Sequence, residues 1–175
     1  ACIARCMDLV LLACLILLNG VFAMSEMALT ASRKARLQVM VEAGERGAQS
    51  AIELHDKPTK WLSTVQIGIT SIGVLNGIVG EAAFAEPLAV WLMHTFAVMG
   101  DKAASWTATG LVVVIITFMT IIFGELVPKR IGQLFPETIA RLVATPMNWL
   151  STATRPFVAL LSMSTEGMLR LLGIK

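Results

Sequence analysis

The sequence has 175 residues, 56% of them apolar and 15% charged, with a mean hydropathy of +0.75, values that fit a membrane protein and not a soluble domain. Its 14 Lys and Arg against 12 Asp and Glu leave a net charge of +2, which gives no bulk electrostatic basis for binding nucleic acid. Cys2, Cys6 and Cys14 form no Cys-x-x-Cys pair, and only His55 and His94 accompany them, which argues against a disulfide framework and a zinc site.

A membrane helix needs roughly 20 mostly apolar residues. The first such run covers residues 9–32, where Glu26 is the only charge. It lacks the small-residue cleavage site of a signal peptide and reads as a mature helix. The segment 34–60 mixes charged and apolar residues and is broken at Gly44 and Gly47, which predicts two short helices. Pro58 suits the first turn of a second span, and residues 61–80 carry no charge. Residues 87–100, with Trp91 and His94, have the length of an interfacial or re-entrant segment. A third uncharged run occupies residues 103–124. The remainder, 142–172, is interrupted by Pro146, Arg155, Pro156 and Glu166. It reads as amphipathic helices along the membrane face, with a fourth crossing disfavoured because Arg155 would lie at mid-membrane.

Six basic residues lie between the first and second runs, one (Lys102) between the second and third, and six after the third. The excess of Lys and Arg in cytoplasmic loops then places the N-terminus outside and the C-terminus in the cytoplasm.

An ionisable group inside a span costs about 2.5–3.5 kcal/mol on insertion scales, so each needs a reason. Two stand out, Glu26 and Glu125. Both could reach inner headgroups or pair with Lys129 and Arg130. A second reading starts from Pro128, which has no amide hydrogen and clashes with the carbonyl four residues earlier. That carbonyl belongs to Gly124, so a freed backbone oxygen lies beside a carboxylate at membrane depth. Hard oxygen donors of this kind suit Mg²⁺ or Na⁺, and broken helices ligate cations in secondary transporters.

At 100° per residue, Ser63, Gln66, Thr70, Gly73 and Gly77 share one side of the second span, and Asn76 points elsewhere. The stripe serves ion lining or close helix packing, since Gly73-x-x-x-Gly77 is a small-residue spacing. Thr117, Thr120 and Gly124 make a similar stripe on the third span. On the first, Asn19, Glu26 and Thr30 share a face. No His-Glu-x-x-His, Gly-x-Ser-x-Gly or P-loop pattern occurs and no Asp lies within a span, so an enzyme is not expected.

Three strings carry a resemblance: Phe-Ala-Met-Ser-Glu-Met-Ala-Leu at 22–29, Trp-Leu-Ser-Thr-Val-Gln-Ile-Gly-Ile-Thr at 61–70 and Gly-Glu-Leu-Val-Pro-Lys-Arg at 124–130. In order and spacing the chain resembles the CorC/CNNM transmembrane domain over essentially its whole length. The resemblance implies a homodimer of three-span protomers, each with a juxtamembrane helical belt and a Mg²⁺ in an inward-facing cavity. It further implies Mg²⁺ export coupled to Na⁺ influx, and continuation into CBS and CorC-type cytoplasmic domains, which this sequence does not contain. It therefore reads as the membrane part of a longer chain. The positions carried over as metal ligands are Ser25, Ser63 (with Thr70 next), the Gly124 carbonyl and Glu125. Ala23 stands where many relatives have serine, and Ile69 and Gly73 where eukaryotic members have asparagines.

The expected fold is an all-α membrane protein, one domain over 1–175. Its spans lie at about 9–31, 59–80 and 103–127, with a cytoplasmic helical hairpin at about 34–57 and juxtamembrane amphipathic helices at about 137–172. The expected function is Na⁺-coupled Mg²⁺ export across a bacterial inner membrane by alternating access, as a homodimer in the lipid bilayer. Asn19, Glu26, Gln66, Thr70 and Pro128 are expected to line the cavity or serve the coupling ion. The alternatives are a non-transporting anchor or Mg²⁺ sensor for a cytoplasmic domain, and a channel-like Mg²⁺ or Co²⁺ pathway.

Overall fold

The computed structural model describes residues 2–174, and every regular element among them is helical. In chain order these are α1 (Cys2–Ala31), α2 (Lys34–Glu42), α3 (Ala48–Asp56), α4 (Pro58–Thr95) and α5 (Asp101–Ile121). A π-helical turn (Ile122–Leu126) follows, then α6 (Val127–Leu134), α7 (Pro136–Ala153) and α8 (Arg155–Leu171). The protein is thus an all-α membrane protein. Three helical stretches among the described residues are long and apolar enough to cross a bilayer: Cys2–Ala31, Pro58–Thr95 and Asp101–Leu134.

The chain forms two compact units. The first joins the residues up to Met24 with Gly68–Arg130, and the second joins Ser25–Ile67 with the residues from Ile131 onward. α1, α4 and α6 each run from one unit into the other.

In the first unit, residues 87–95 do not form a separate interfacial or re-entrant segment. They continue α4, which is 38 residues long and passes through Pro87. A proline inside a helix removes one hydrogen bond and crowds the preceding turn. Packing in the next turn offsets that cost. Leu92, Ala104 and Ala108 are buried together, with Leu88, Ala89 and Met93 against them. The small alanines of α5 admit the leucines of α4, and a turn at 96–100 reverses the chain through Phe96 N–H to Leu92 O at 2.8 Å and Met99 N–H to Phe96 O at 3.0 Å.

In the second unit, α2 and α3 form the short pair that the Gly44/Gly47 break predicts. Gly47 has a φ of +81°, and a Cβ there would collide with the Arg141 carbonyl oxygen of α7, so glycine is required both by the turn and by the close approach. Trp61 is 2% exposed, and its Nε1–H donates to Leu54 O at 2.7 Å. That bond ties the end of α3 to the first turns of α4. Glu137 is 7% exposed; its carboxylate accepts the Arg33 amide at 3.3 Å and faces Arg36 Nη1 at 3.9 Å. Arg141 Nε meets Glu45 Oε2 at 3.0 Å.

Candidate cation site at a bulged span

Pro128 shapes the first unit. Because it cannot donate to Gly124, the α-helical ladder is interrupted there, and the chain takes a π turn over Ile122–Leu126. Val127 N–H bonds back to Ile122 O across that turn. The Gly124 carbonyl finds another donor: Asn19 Nδ2 of α1, at 3.1 Å. The approach is close, since a Cβ on Gly124 would come within 2.9 Å of Asn19 Nδ2, and one on Gly20 within 3.0 Å of Pro128 Cγ. Two glycines on facing helices therefore let the proline kink seat against α1.

A second amide, Asn76 of α4, donates to Thr120 Oγ1 of α5 at 3.5 Å. Asn19 and Asn76 are each 1% exposed, and the Oδ1 of each has no hydrogen-bond partner among the described residues. Thr120 and Gly124 are four residues apart and so lie on one face. Glu125 follows, half-buried, and makes no hydrogen bond or ion pair among the described residues. The first unit thus holds a carboxylate, a backbone carbonyl bonded to Asn19, and two amide oxygens without a partner among the described residues.

The nine residues singled out in the sequence divide between the units. Asn19, Thr70, Gly124, Glu125 and Pro128 belong to the first, and Ser25, Glu26, Ser63 and Gln66 to the second. Ser25 is fully buried. Glu26 is half-buried, and its carbonyl accepts the Thr30 hydroxyl at 2.7 Å. Ser63 Oγ donates to Thr59 O at 3.0 Å, leaving its lone pairs free to accept. Gly73 and Gly77 meet nothing that a Cβ would touch, so their spacing does not serve packing within the chain. Asn76 lies off the polar stripe of α4. A lone amide on an apolar span must still find a partner, and Thr120 on the third-span stripe is that partner. Among the described residues, no group of three or more His, Cys, Asp and Glu is placed to hold a metal, so a metal ion here would rest on Glu125 and neutral oxygens.

Asn19→Ala should cost about 1–2 kcal/mol, because it strips the buried Gly124 carbonyl of its donor. The measurement is the unfolding temperature in detergent. An unchanged value would mean that the kink does not depend on Asn19.

Three apolar helices, a bulged third span and a carboxylate within it define a membrane domain with a polar site in its third span. The chain belongs to the CNNM family, the Cyclin M transmembrane N-terminal domain, which it matches over residues 9–175. Among its relatives, a UPF0053 protein of Synechocystis sp. is 43% identical over 160 residues, covering 91% of this chain and 35% of the relative. The polyamine export protein of Salmonella typhimurium is 31% identical over 161 residues, covering 92% and 35%. That of Escherichia coli K12 is 32% identical over 151 residues, covering 86% and 33%. The chain spans about a third of the length of these relatives.

Proposed function

We propose that this domain exports small cations from the cytoplasm by alternating access, and that its cargo is an organic polycation of the polyamine class. The observation that carries the export reading is Glu125 at the π turn, an unpaired carboxylate inside an apolar span. A single carboxylate among neutral oxygens neutralises one ammonium group and offers that group acceptors for its three N–H donors. The names of the relatives in Salmonella and Escherichia favour a polyamine.

The second reading is Mg²⁺ export coupled to Na⁺ influx, which the family resemblance supports. There Glu125 and the Gly124 carbonyl, both in the first unit, would supply ligands, and the half-neutralised divalent charge would ease release. Both readings take the protein to be a homodimer in the bacterial inner membrane with its N-terminus outside, in keeping with the distribution of Lys and Arg.

Proteoliposome flux separates them. Putrescine or spermidine uptake without Mg²⁺ movement is the expected result. Mg²⁺ flux that needs a Na⁺ gradient would replace the polyamine reading with the second one, and binding without flux of either would replace both with a sensor. Glu26→Gln is expected to spare cargo binding and remove any Na⁺ dependence of flux. Loss of both together would argue against a separate coupling role for Glu26.

A further inference from the structure

In the second unit a groove of about 830 Å³ opens between the start of α4 and one face of α8. Its lining includes Lys57, Lys60 and Arg155, a single carboxylate (Glu166), and the hydroxyls of Ser63 and Ser162. None of the three cations takes part in an ion pair among the described residues. Hydroxyl bonds hold the wall in place. Lys60 O accepts Thr64 Oγ1 at 3.1 Å and Ser151 Oγ at 3.4 Å, while Thr64 Oγ1 and Thr154 Oγ1 lie 3.0 Å apart, immediately before Arg155. The basic side chains are therefore carried on a pinned junction.

We propose that this groove seats the phosphate of an anionic phospholipid headgroup. Three features select that occupant. An excess of two positive charges matches an anion, and the Ser162 hydroxyl supplies a hydrogen-bond donor for a phosphate oxygen. The groove lies at the first turn of a helix long and apolar enough to span the bilayer, so it sits where headgroups are. On the side of α8 away from the groove, Phe157, Leu160, Met168 and Leu171 are exposed, as on a helix lying in the interface with its apolar face in acyl chains. Basic pockets beside spanning helices bind lipid headgroups by the same chemistry. The inference rests on the membrane assignment and is independent of the cargo.

The test titrates the whole chain in dodecyl maltoside with dioctanoyl phosphatidylglycerol, dioctanoyl phosphatidylcholine and inorganic phosphate, following binding by thermophoresis. Saturable phosphatidylglycerol binding is expected, with phosphatidylcholine and phosphate much weaker. The double variant Lys60→Gln/Arg155→Gln should weaken it roughly tenfold or more, Glu166→Gln should tighten it, and Arg170→Gln, on α8 but outside the groove, should leave it unchanged. Equal binding of phosphatidylcholine, phosphate binding as tightly as the lipid, or an Arg170→Gln loss matching the double variant would each overturn the proposal. If the double variant does not fold, Glu166→Gln decides: tighter binding supports the site, and no change overturns it.

Discussion

Glu125→Gln is expected to abolish cation transport while leaving the protein folded. The substitution keeps the shape of the side chain and its acceptor oxygen and removes only the charge. A cation at about 4 Å from a carboxylate gains about 1 kcal/mol in water and about 4 kcal/mol at an effective dielectric of about 20. Glu125 is half-buried, so the loss in affinity falls between about fivefold and about a thousandfold. Because Glu125 has no partner among the described residues, no ion pair is broken, and removing a charge from a span should hold or raise the unfolding temperature. Cargo binding by calorimetry and flux in proteoliposomes check the first part, and thermal unfolding in detergent the second. Wild-type binding by Glu125→Gln would falsify the assignment, whichever cation is carried.

The largest effect on stability is expected from Gly47→Ala, at about 3 kcal/mol. Part of the cost is the left-handed backbone, about 1–2 kcal/mol for a residue with a Cβ. The rest is collision with the Arg141 backbone, which has no rotamer by which to move aside, so α3 and α7 must separate. Gly44 provides the control. Its φ is +75°, but a Cβ there meets nothing within 4 Å, so Gly44→Ala should incur only the backbone term. Equal losses of unfolding temperature in the two variants would contradict the steric argument.

Apolar runs and their charges made the three spans legible, and the Gly44/Gly47 break made α2 and α3 legible, because both signals are local. The extension of α4 through Pro87 was not. Proline is read as a breaker from its own chemistry, whereas the helix survives through packing of Leu88 and Leu92 on Ala104 and Ala108, a contact that no spacing announces. At the site, Pro128 correctly pointed to a displaced Gly124 carbonyl. The sequence did not reveal that Asn19 is its donor, because pairing between two distant helices leaves no periodic trace. Asn76 escaped for a related reason: a polar stripe on one helix says which residues face together, and nothing about an amide that bonds across to another.

The π turn has one more consequence. It accommodates an extra residue within a continuous helix, so the helix before Ile122 and the helix after Leu126 are out of phase by about 100° relative to an uninterrupted α-helix. The bulge acts as a rotary offset. Converting it to α-helix, whether by deleting one residue or by migration of the bulge along the chain, would swing Pro128, Lys129 and Arg130 about a quarter turn around the axis without bending it. The face that now seats Pro128 against Gly20 would turn away, and a different set of side chains would meet α1.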